Sequence, residues 1–435
     1  MLAEFQEYIQ GRYPALKERK FLLACSGGLD STVLAHLCHR AGLQFVLAHC
    51  NFNLRGVESD QDEGFVRELA NTLGVQLFVT HFDTMDYVYG NQVSIEMAAR
   101  ELRYAWFAEL MKESDLEVLV TAHHSDDSLE TFLINLSRGT GITGLKGIPS
   151  STVSVVRPLL PFSRSQLLEF AKTEGFTWRE DSSNQETVHL RNKIRLEVVP
   201  KLKELHPTFL NNFQKTQSHL SGSAKMLEDY IRLLKSKLFL TEENYIRISI
   251  DDLLQLEPIG DYLHALFDTY GFKAWKDIEG LLHGMSGKEV HSKTHRLVRD
   301  RAYLLLSELG EKPSHSYLIH EGVSEIKVPI HLMVSEVSAI GLTSKNILYV
   351  DKSSLKYPLI VRNWKKGDYF YPFGMVGKKK VSKFFKDEKV DMITKEKQWL
   401  VCSGEDIVWI VGQRADNRFK VSGHSKNILR FTYVK

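Results

Sequence analysis

The chain has 435 residues, 43% hydrophobic, 25% charged and 10% aromatic, with a formal net charge of +2. These fractions describe a globular protein with a sizeable core and exclude a disordered, collagenous or disulfide-scaffold chain; the length suggests two to four domains. Its four cysteines, Cys25, Cys38, Cys50 and Cys402, include no C-x-x-C pair, which excludes the usual spacings of zinc ribbons, iron–sulfur sites and thioredoxin-like centres and leaves reduced thiols as the expectation.

The opening MLAEFQEYIQ is amphipathic and lacks a basic flank followed by an apolar run, so no signal peptide is expected. No apolar run approaches the roughly 18 residues of a membrane helix, and the cytoplasm is the expected location. FLLAC (21–25), QFVLAHC (44–50), VQLFVTHF (75–82) and LEVLVTAH (116–123) read as short buried strands. Helical patterns at 32–41, 58–73 and 95–112 alternate with them, and Gly42 and Gly74 supply helix stops. This rhythm predicts an α/β fold, a doubly wound parallel sheet that binds ligands beyond the carboxyl ends of its strands. SGGLDS, HCNFNLRG and TAHHSDD follow the first, second and fourth strands, where such a fold builds its site. A strand-like piece at 153–157, a helix at 165–175 and a polar loop at 178–184 come next, and 188 to about 240 reads as mostly helical. The predicted domains are a catalytic domain (1–215), a helical connector with a small α+β middle domain (216–310), and a basic β-rich C-terminal domain (311–435, core from about 355).

Ser26, Gly27, Gly28, Leu29, Asp30 and Ser31 join a buried strand to a helix start. Glycines let the backbone approach phosphate oxygens, and the first helical N–H groups point at the anion. No Lys-Ser or Lys-Thr pair follows, so this is not a kinase-type P-loop; it resembles the pyrophosphate loop of N-type ATP pyrophosphatases. Alone, the hexapeptide also reads as an ordinary strand-to-helix turn.

His123, Asp127 and Glu130 are spaced i, i+4, i+7 and share one face of a helix beginning near His123. Clustered carboxylates call for a cation, a metal or an ammonium group; the other reading is a capped, solvated helix start. Glu96, Arg100 and Arg103 repeat the spacing, giving either a fork for phosphates or a surface ion pair. Arg191 and Arg195 read as an ordinary basic helix face. From Leu355 to Lys435 there are 18 Lys and Arg against 8 Asp and Glu, net +10, while the remainder, 38 against 46, is −8. Lysines and aromatics interleave through WKKGDYFYPFGMVGKKKVSKFF, the footprint of RNA contact. The reading expects some of these rings in a core and the lysines outward.

SGGLDS, HCNFNLR, AARELRY, TAHHSDDSLET, LSRGTGITGLKGI, RPLL, WREDSSN, RNKIR and KKGDYFYPFGMVGKKKVSKFF occur in this order over nearly the whole chain. SGGxDS is shared with asparagine and GMP synthetases and tRNA thiolases; the ordered set resembles the tRNA(Ile)-lysidine synthase family of the PP-loop superfamily. The resemblance implies an adenine nucleotide alpha hydrolase-like catalytic domain and an ATP-dependent carbon–nitrogen ligase. L-lysine, ATP and the wobble cytidine of the CAU anticodon of tRNA(Ile) would give lysidine, AMP and pyrophosphate, through a cytidine adenylated at C2. It implies ATP binding by Ser26, Gly27, Gly28, Leu29, Asp30 and Ser31, Mg2+ at Asp30, and charge neutralisation at the α-phosphate by Arg100 and Arg103. Asp127 and Glu130, beside His123, would meet lysine's ammonium groups and Arg195 its carboxylate. Lys378, Lys379, Lys380 and Lys383 would contact tRNA, and a homodimer is compatible with it. One departure is visible: the family's H-x-N-H-x-L-R has Phe52 for its second histidine, so no catalytic role carries over there, while His49 and Arg55 match. A PP-loop thiolase would need cysteines to carry or ligate sulfur, and their spacing here argues against it. A non-catalytic RNA-binding protein on the same fold would have no use for SGGLDS and the carboxylates.

Overall fold

The computed structural model describes residues 1–180, 190–310 and 316–434; residues 181–184 of the polar loop and the first positions of the next helical stretch, 188–189, lie outside them. The chain divides into two compact units, Met1–Glu228 and Asp229–Lys435.

In the first unit β1 (Phe21–Ala24), β2 (Phe45–Asn51), β3 (Leu77–His81), β4 (Leu119–Val120) and β5 (Val155–Val156) form one parallel sheet in the order β3-β2-β1-β4-β5. Phe21, Leu22 and Leu23 of central β1 are fully buried, which is why that run is continuously apolar instead of alternating. The chain moves outward from β1 to β3 and then returns to the other side as β4 and β5. This reversal opens a crevice beyond the carboxyl ends of β1 and β4.

β3 and β4 are shorter than the sequence predicts because the preceding helix ends consume their first residues. Gly74 adopts φ 63° and the Val75 N–H closes the Val57–Leu73 helix on the Ala70 carbonyl at 3.0 Å. Leu116 N–H returns to the Met111 carbonyl at 2.8 Å; β4 shrinks to two residues, and after a last bond from the Thr121 N–H to the Val156 carbonyl at 3.0 Å the chain leaves regular strand structure. The helix after β1 spans Leu29–Arg40 and starts inside the hexapeptide, earlier than the predicted residue 32. The Thr84–Asn91 helix, capped by Asp83, is an element the sequence reading lacks.

The second unit begins with an antiparallel sheet, order Phe239–Thr241, Ile246–Ser249, Tyr303–Glu308, His295–Asp300, Glu289–His291. Ile248, Leu297, Leu304 and Leu306 pack there with residues of the Ile259–Phe267 and Trp275–His283 helices. Two further antiparallel sheets share one core, with Val361, Val401 and Trp409 from one meeting Leu332, Leu348 and Phe431 from the other. Strands from Tyr317 onward already belong to it: Tyr317–Ile319 pairs with Leu359–Asn363, and His331–Val337 with Ile428–Val434. Within this unit Ile393 is buried with Val298 and Leu305, and Arg296 Nη2 lies 2.6 Å from Glu396 Oε2. Among the described residues no helix is long and apolar enough to cross a membrane.

Candidate active site

The turn after β1 is fixed by its own hydroxyls. Ser31 Oγ donates to the Gly28 carbonyl at 3.1 Å and accepts from the Ser26 N–H at 3.2 Å, while Thr32 Oγ1 donates to the Gly27 carbonyl at 3.3 Å. Gly27 sits at φ +85°, and a Cβ there would also lie 3.3 Å from Val66 Cγ2, so glycine is required twice over. Gly28 caps the Leu29–Arg40 helix, whose unpaired first-turn amides open beyond the sheet. Arg179 braces the turn from behind: its N–H donates to the Gly27 carbonyl at 2.9 Å and its Nε to Asp62 Oδ1 at 3.0 Å. Arg55 Nη2 takes the other Asp62 oxygen at 2.8 Å. His49 Nδ1 lies 2.9 Å from the Cys25 carbonyl, and burial lowers its pKa, so the neutral ring donates there. Thus His49 and Arg55, the matching residues of the second motif, support the loop.

The loop after β4 brings a second polar cluster to the same crevice. His124, not His123, caps the Ser125–Arg138 helix, and the helix starts later than the spacing argument assumes. The fully buried His124 places Nε2 within 3.5 Å of both Asp30 Oδ2 and Asp127 Oδ2. Burial disfavours its charged form, yet Asp127, Asp30 and Asp126 outweigh that and raise its pKa. Burial works against the ionised form of Asp127, but the facing His124, which also donates its backbone N–H to Oδ2 at 3.0 Å, holds its pKa below the ordinary carboxyl value. Asp126 is paired with Lys203 and accepts the Arg164 N–H at 2.9 Å. Asp30 Oδ1 is buried and has no hydrogen-bond partner among the described residues.

Asp127 and Glu130 do share a helix face, and the structure supplies their cations from within the chain. Arg191 Nε donates to Glu130 Oε2 at 2.9 Å and its Nη2 to Asp127 Oδ1 at 3.2 Å. Arg195 Nε reaches Glu130 Oε1 at 2.6 Å, and its Nη2 reaches Asp127 Oδ1 at 3.3 Å. The pair read as an ordinary basic face therefore lies against the acidic cluster. Arg191 lies in a short helix, Leu190–Lys193, and Arg195 in the π-helical turn Ile194–Val198 that follows it, a rare geometry associated with functional sites.

His123 lies beside this cluster with Nδ1 3.0 Å from Thr121 Oγ1, and burial pushes its pKa down to about 4. Between pH 6.5 and 4 the unfolded chain binds a proton at His123 that the folded chain refuses. Acidification over that range should therefore lower unfolding free energy, by up to about 3 kcal/mol from this group. His124, raised, contributes fully in that window and loses its contribution only as pH rises through its own pKa. Thermal melting against pH checks this; a flat profile from pH 6.5 to 4 contradicts a neutral His123.

Arg100 and Arg103 lie on the Ile95–Glu113 helix, both exposed. Their guanidiniums sit over rings, Arg100 4.9 Å from the Tyr104 centroid and Arg103 5.2 Å from that of Phe52. Neither makes an ion pair among the described residues.

In the second unit Phe370, Phe384 and Phe385 are core, whereas Tyr369 and Phe373 are 45% and 51% exposed. Lys378, Lys380 and Lys383 point outward as expected, and Lys378 Nζ lies over the Tyr369 ring at 5.2 Å. Lys379 departs from that expectation: it folds back to Asp387 at 2.8 Å and over Phe384 at 5.7 Å, its stem covering apolar surface.

Comparison with known proteins gives one consistent family. A PP-loop domain profile matches residues 1–202, a TilS substrate binding domain profile 241–309 and a TilS substrate C-terminal domain profile 359–431. The chain is 38% identical to the tRNA(Ile)-lysidine synthase of Parabacteroides distasonis, covering 100% of both chains. It is 39% identical to that of Bacteroides thetaiotaomicron over 98% of each. Among solved structures, a U34-tRNA thiolase from Methanococcus maripaludis is 17% identical with a TM-score of 0.41, covering 50% of this chain and 79% of the other.

Proposed function

The chain belongs to the tRNA(Ile)-lysidine synthase family, and from that premise we propose that it joins L-lysine to C2 of the wobble cytidine in a CAU-anticodon tRNA(Ile), in the cytoplasm, using ATP. The observation that carries this reading is the meeting of the phosphate loop and the acidic helix start, with Asp30 and Asp127 on either side of His124 Nε2. An ATP held at the Leu29–Arg40 amides would present its α-phosphate next to a carboxylate-lined recess. The cytosine C2 oxygen attacks that phosphorus and pyrophosphate leaves; the lysine side-chain amine then attacks C2 and AMP leaves.

Asp30 places a carboxylate beside the amides that hold phosphate, which repels the substrate unless a cation lies between. Its buried Oδ1, without a hydrogen-bond partner among the described residues, fits that need. A Mg2+ ion is commonly held by one or two carboxylates together with substrate phosphates, and Asp30 would be the carboxylate here. Asp30 would hold Mg2+ there, and the ion would supply neutralisation of charge on the leaving pyrophosphate. Arg100 and Arg103 would neutralise charge at the α-phosphate. A carboxylate offers about four lone-pair sites, so Asp127 and Glu130 can hold an ammonium group while Arg191 and Arg195 keep them in position. Arg195 would also meet lysine's carboxylate. The protein, ATP, lysine and a CAU-anticodon tRNA transcript should give a mass gain of one lysine minus water on the wobble cytidine; no incorporation overturns the reading.

The exposed Lys378, Lys380 and Lys383 would grip tRNA phosphates. Reversing all three to Glu should weaken tRNA binding by about 10- to 100-fold at low salt and flatten its salt dependence, with ATP binding retained. Unchanged tRNA affinity in a filter-binding titration removes the clamp.

A further inference from the structure

Phe52 stands where the sequence departs from the family pattern, and the structure places it immediately beyond β2. Two contacts fix it. Its carbonyl accepts from the buried Thr84 Oγ1 at 2.9 Å, and its ring stacks on Phe82 at 5.5 Å with 24° between planes. Phe82 is itself tied to the strand end, its N–H donating to the Asn51 carbonyl at 2.9 Å. Arg103 projects from the Ile95–Glu113 helix and lays its guanidinium carbon 5.2 Å from the Phe52 centroid. Burial pushes the Cys50 thiol up to about 12 and Arg103 opposes that rise, so the cation's field reaches the carboxyl end of β2.

We infer that Phe52 is a positioning residue, an aromatic platform that holds the Arg103 guanidinium at the carboxyl end of β2 with its N–H donors left for a substrate phosphate. A carboxylate partner would fix the same side chain but would neutralise it and occupy those donors. A ring face attracts the cation through its quadrupole and leaves the in-plane N–H groups unused. Among the described residues Arg103 has no carboxylate partner, and its guanidinium lies over the Phe52 ring instead. The inference rests on the reading that Arg103 acts at the α-phosphate.

A double-mutant cycle on the full chain tests both, with pyrophosphate release measured in the presence of ATP, lysine and CAU-anticodon transcript. Arg103→Gln should lower kcat by about 100-fold. Phe52→Leu and Phe52→Met keep an apolar contact with Phe82 but lose the ring face. Each should lower kcat about three- to tenfold, with thermal melting near that of the parent. Phe52→Tyr should stay within about twofold. In the Arg103→Gln background, Phe52→Leu should cost less than about twofold, since the interaction is already gone. A full-sized Phe52→Leu effect in that background, or none in the parent, overturns the platform while leaving Arg103 in the mechanism. Arg103→Gln at the parental rate removes Arg103 and the platform together.

Discussion

Asp30→Ala is expected to cut ATP-dependent pyrophosphate release by about 10²- to 10³-fold or more, the scale on which electrostatic stabilisers of a developing charge act. The fold should survive. Asp30 has an exposed edge, and its ion pair among the described residues is a 3.5 Å approach to His124, which keeps Asp127 at the same distance and Asp126 at 3.8 Å. The lost first-turn carboxylate costs about 0.3–1 kcal/mol through the helix dipole, a shift of a few degrees in melting temperature. Asp30→Asn keeps the shape and removes only the charge; it should be nearly as inactive and need more Mg2+ for the activity that remains. Pyrophosphate release and thermal melting on the same preparations decide it. A folded, fully active Asp30→Ala takes the carboxylate, and the Mg2+ assigned to it, out of the reaction.

Glu130→Gln is expected to act in the opposite pattern, on stability and on lysine more than on ATP. Glu130 is 1% exposed and receives Arg191 Nε and Arg195 Nε at 2.9 and 2.6 Å. Removing its charge leaves two guanidiniums facing Asp127 alone. A fully buried pair broken this way costs about 3–5 kcal/mol. Arg191 and Arg195 keep 43% and 28% of their side chains exposed, so solvent screening brings the expected loss to about 2–3 kcal/mol. For a unit of this size that is a fall of about 5–10 °C in melting temperature. Lysine-independent pyrophosphate release should persist below the new melting point, while lysine incorporation falls sharply through a raised KM for lysine. A normal KM for lysine removes Glu130 from the amine pocket; an unchanged melting temperature contradicts the stability argument.

The first strand, the glycine turn and the helix after it were legible because each depends on residues next to one another: a continuous apolar run, a glycine forced to positive φ, a cap. Predicted strand lengths were too generous at 75–82 and 116–123 because helix closure competes for the same N–H groups, and an apolar pattern does not record which bond wins. His123 stands at the head of the i, i+4, i+7 series with Asp127 and Glu130. The helix begins at Ser125, so its neighbour His124 turns toward Asp30, and counting from the nearer histidine could not reveal that. The N-cap position before two aspartates was the one available signal, and histidine is an uncommon cap.

The sequence by itself determined the alternation of strands and helices, the placing of three polar motifs at strand ends, and the basic C-terminal region. These follow from local rules of periodicity, capping and charge. Tertiary structure alone decided the partners. The order β3-β2-β1-β4-β5 puts the turn after β1 beside the loop after β4, so Asp30 meets His124. Arg191 and Arg195 come back across more than 60 residues to Asp127 and Glu130, and Arg103 finds the Phe52 ring. Spacing along one helix fixes which side chains share a face. What that face meets depends on strand order and on where the chain crosses the sheet, and neither is encoded in any single segment.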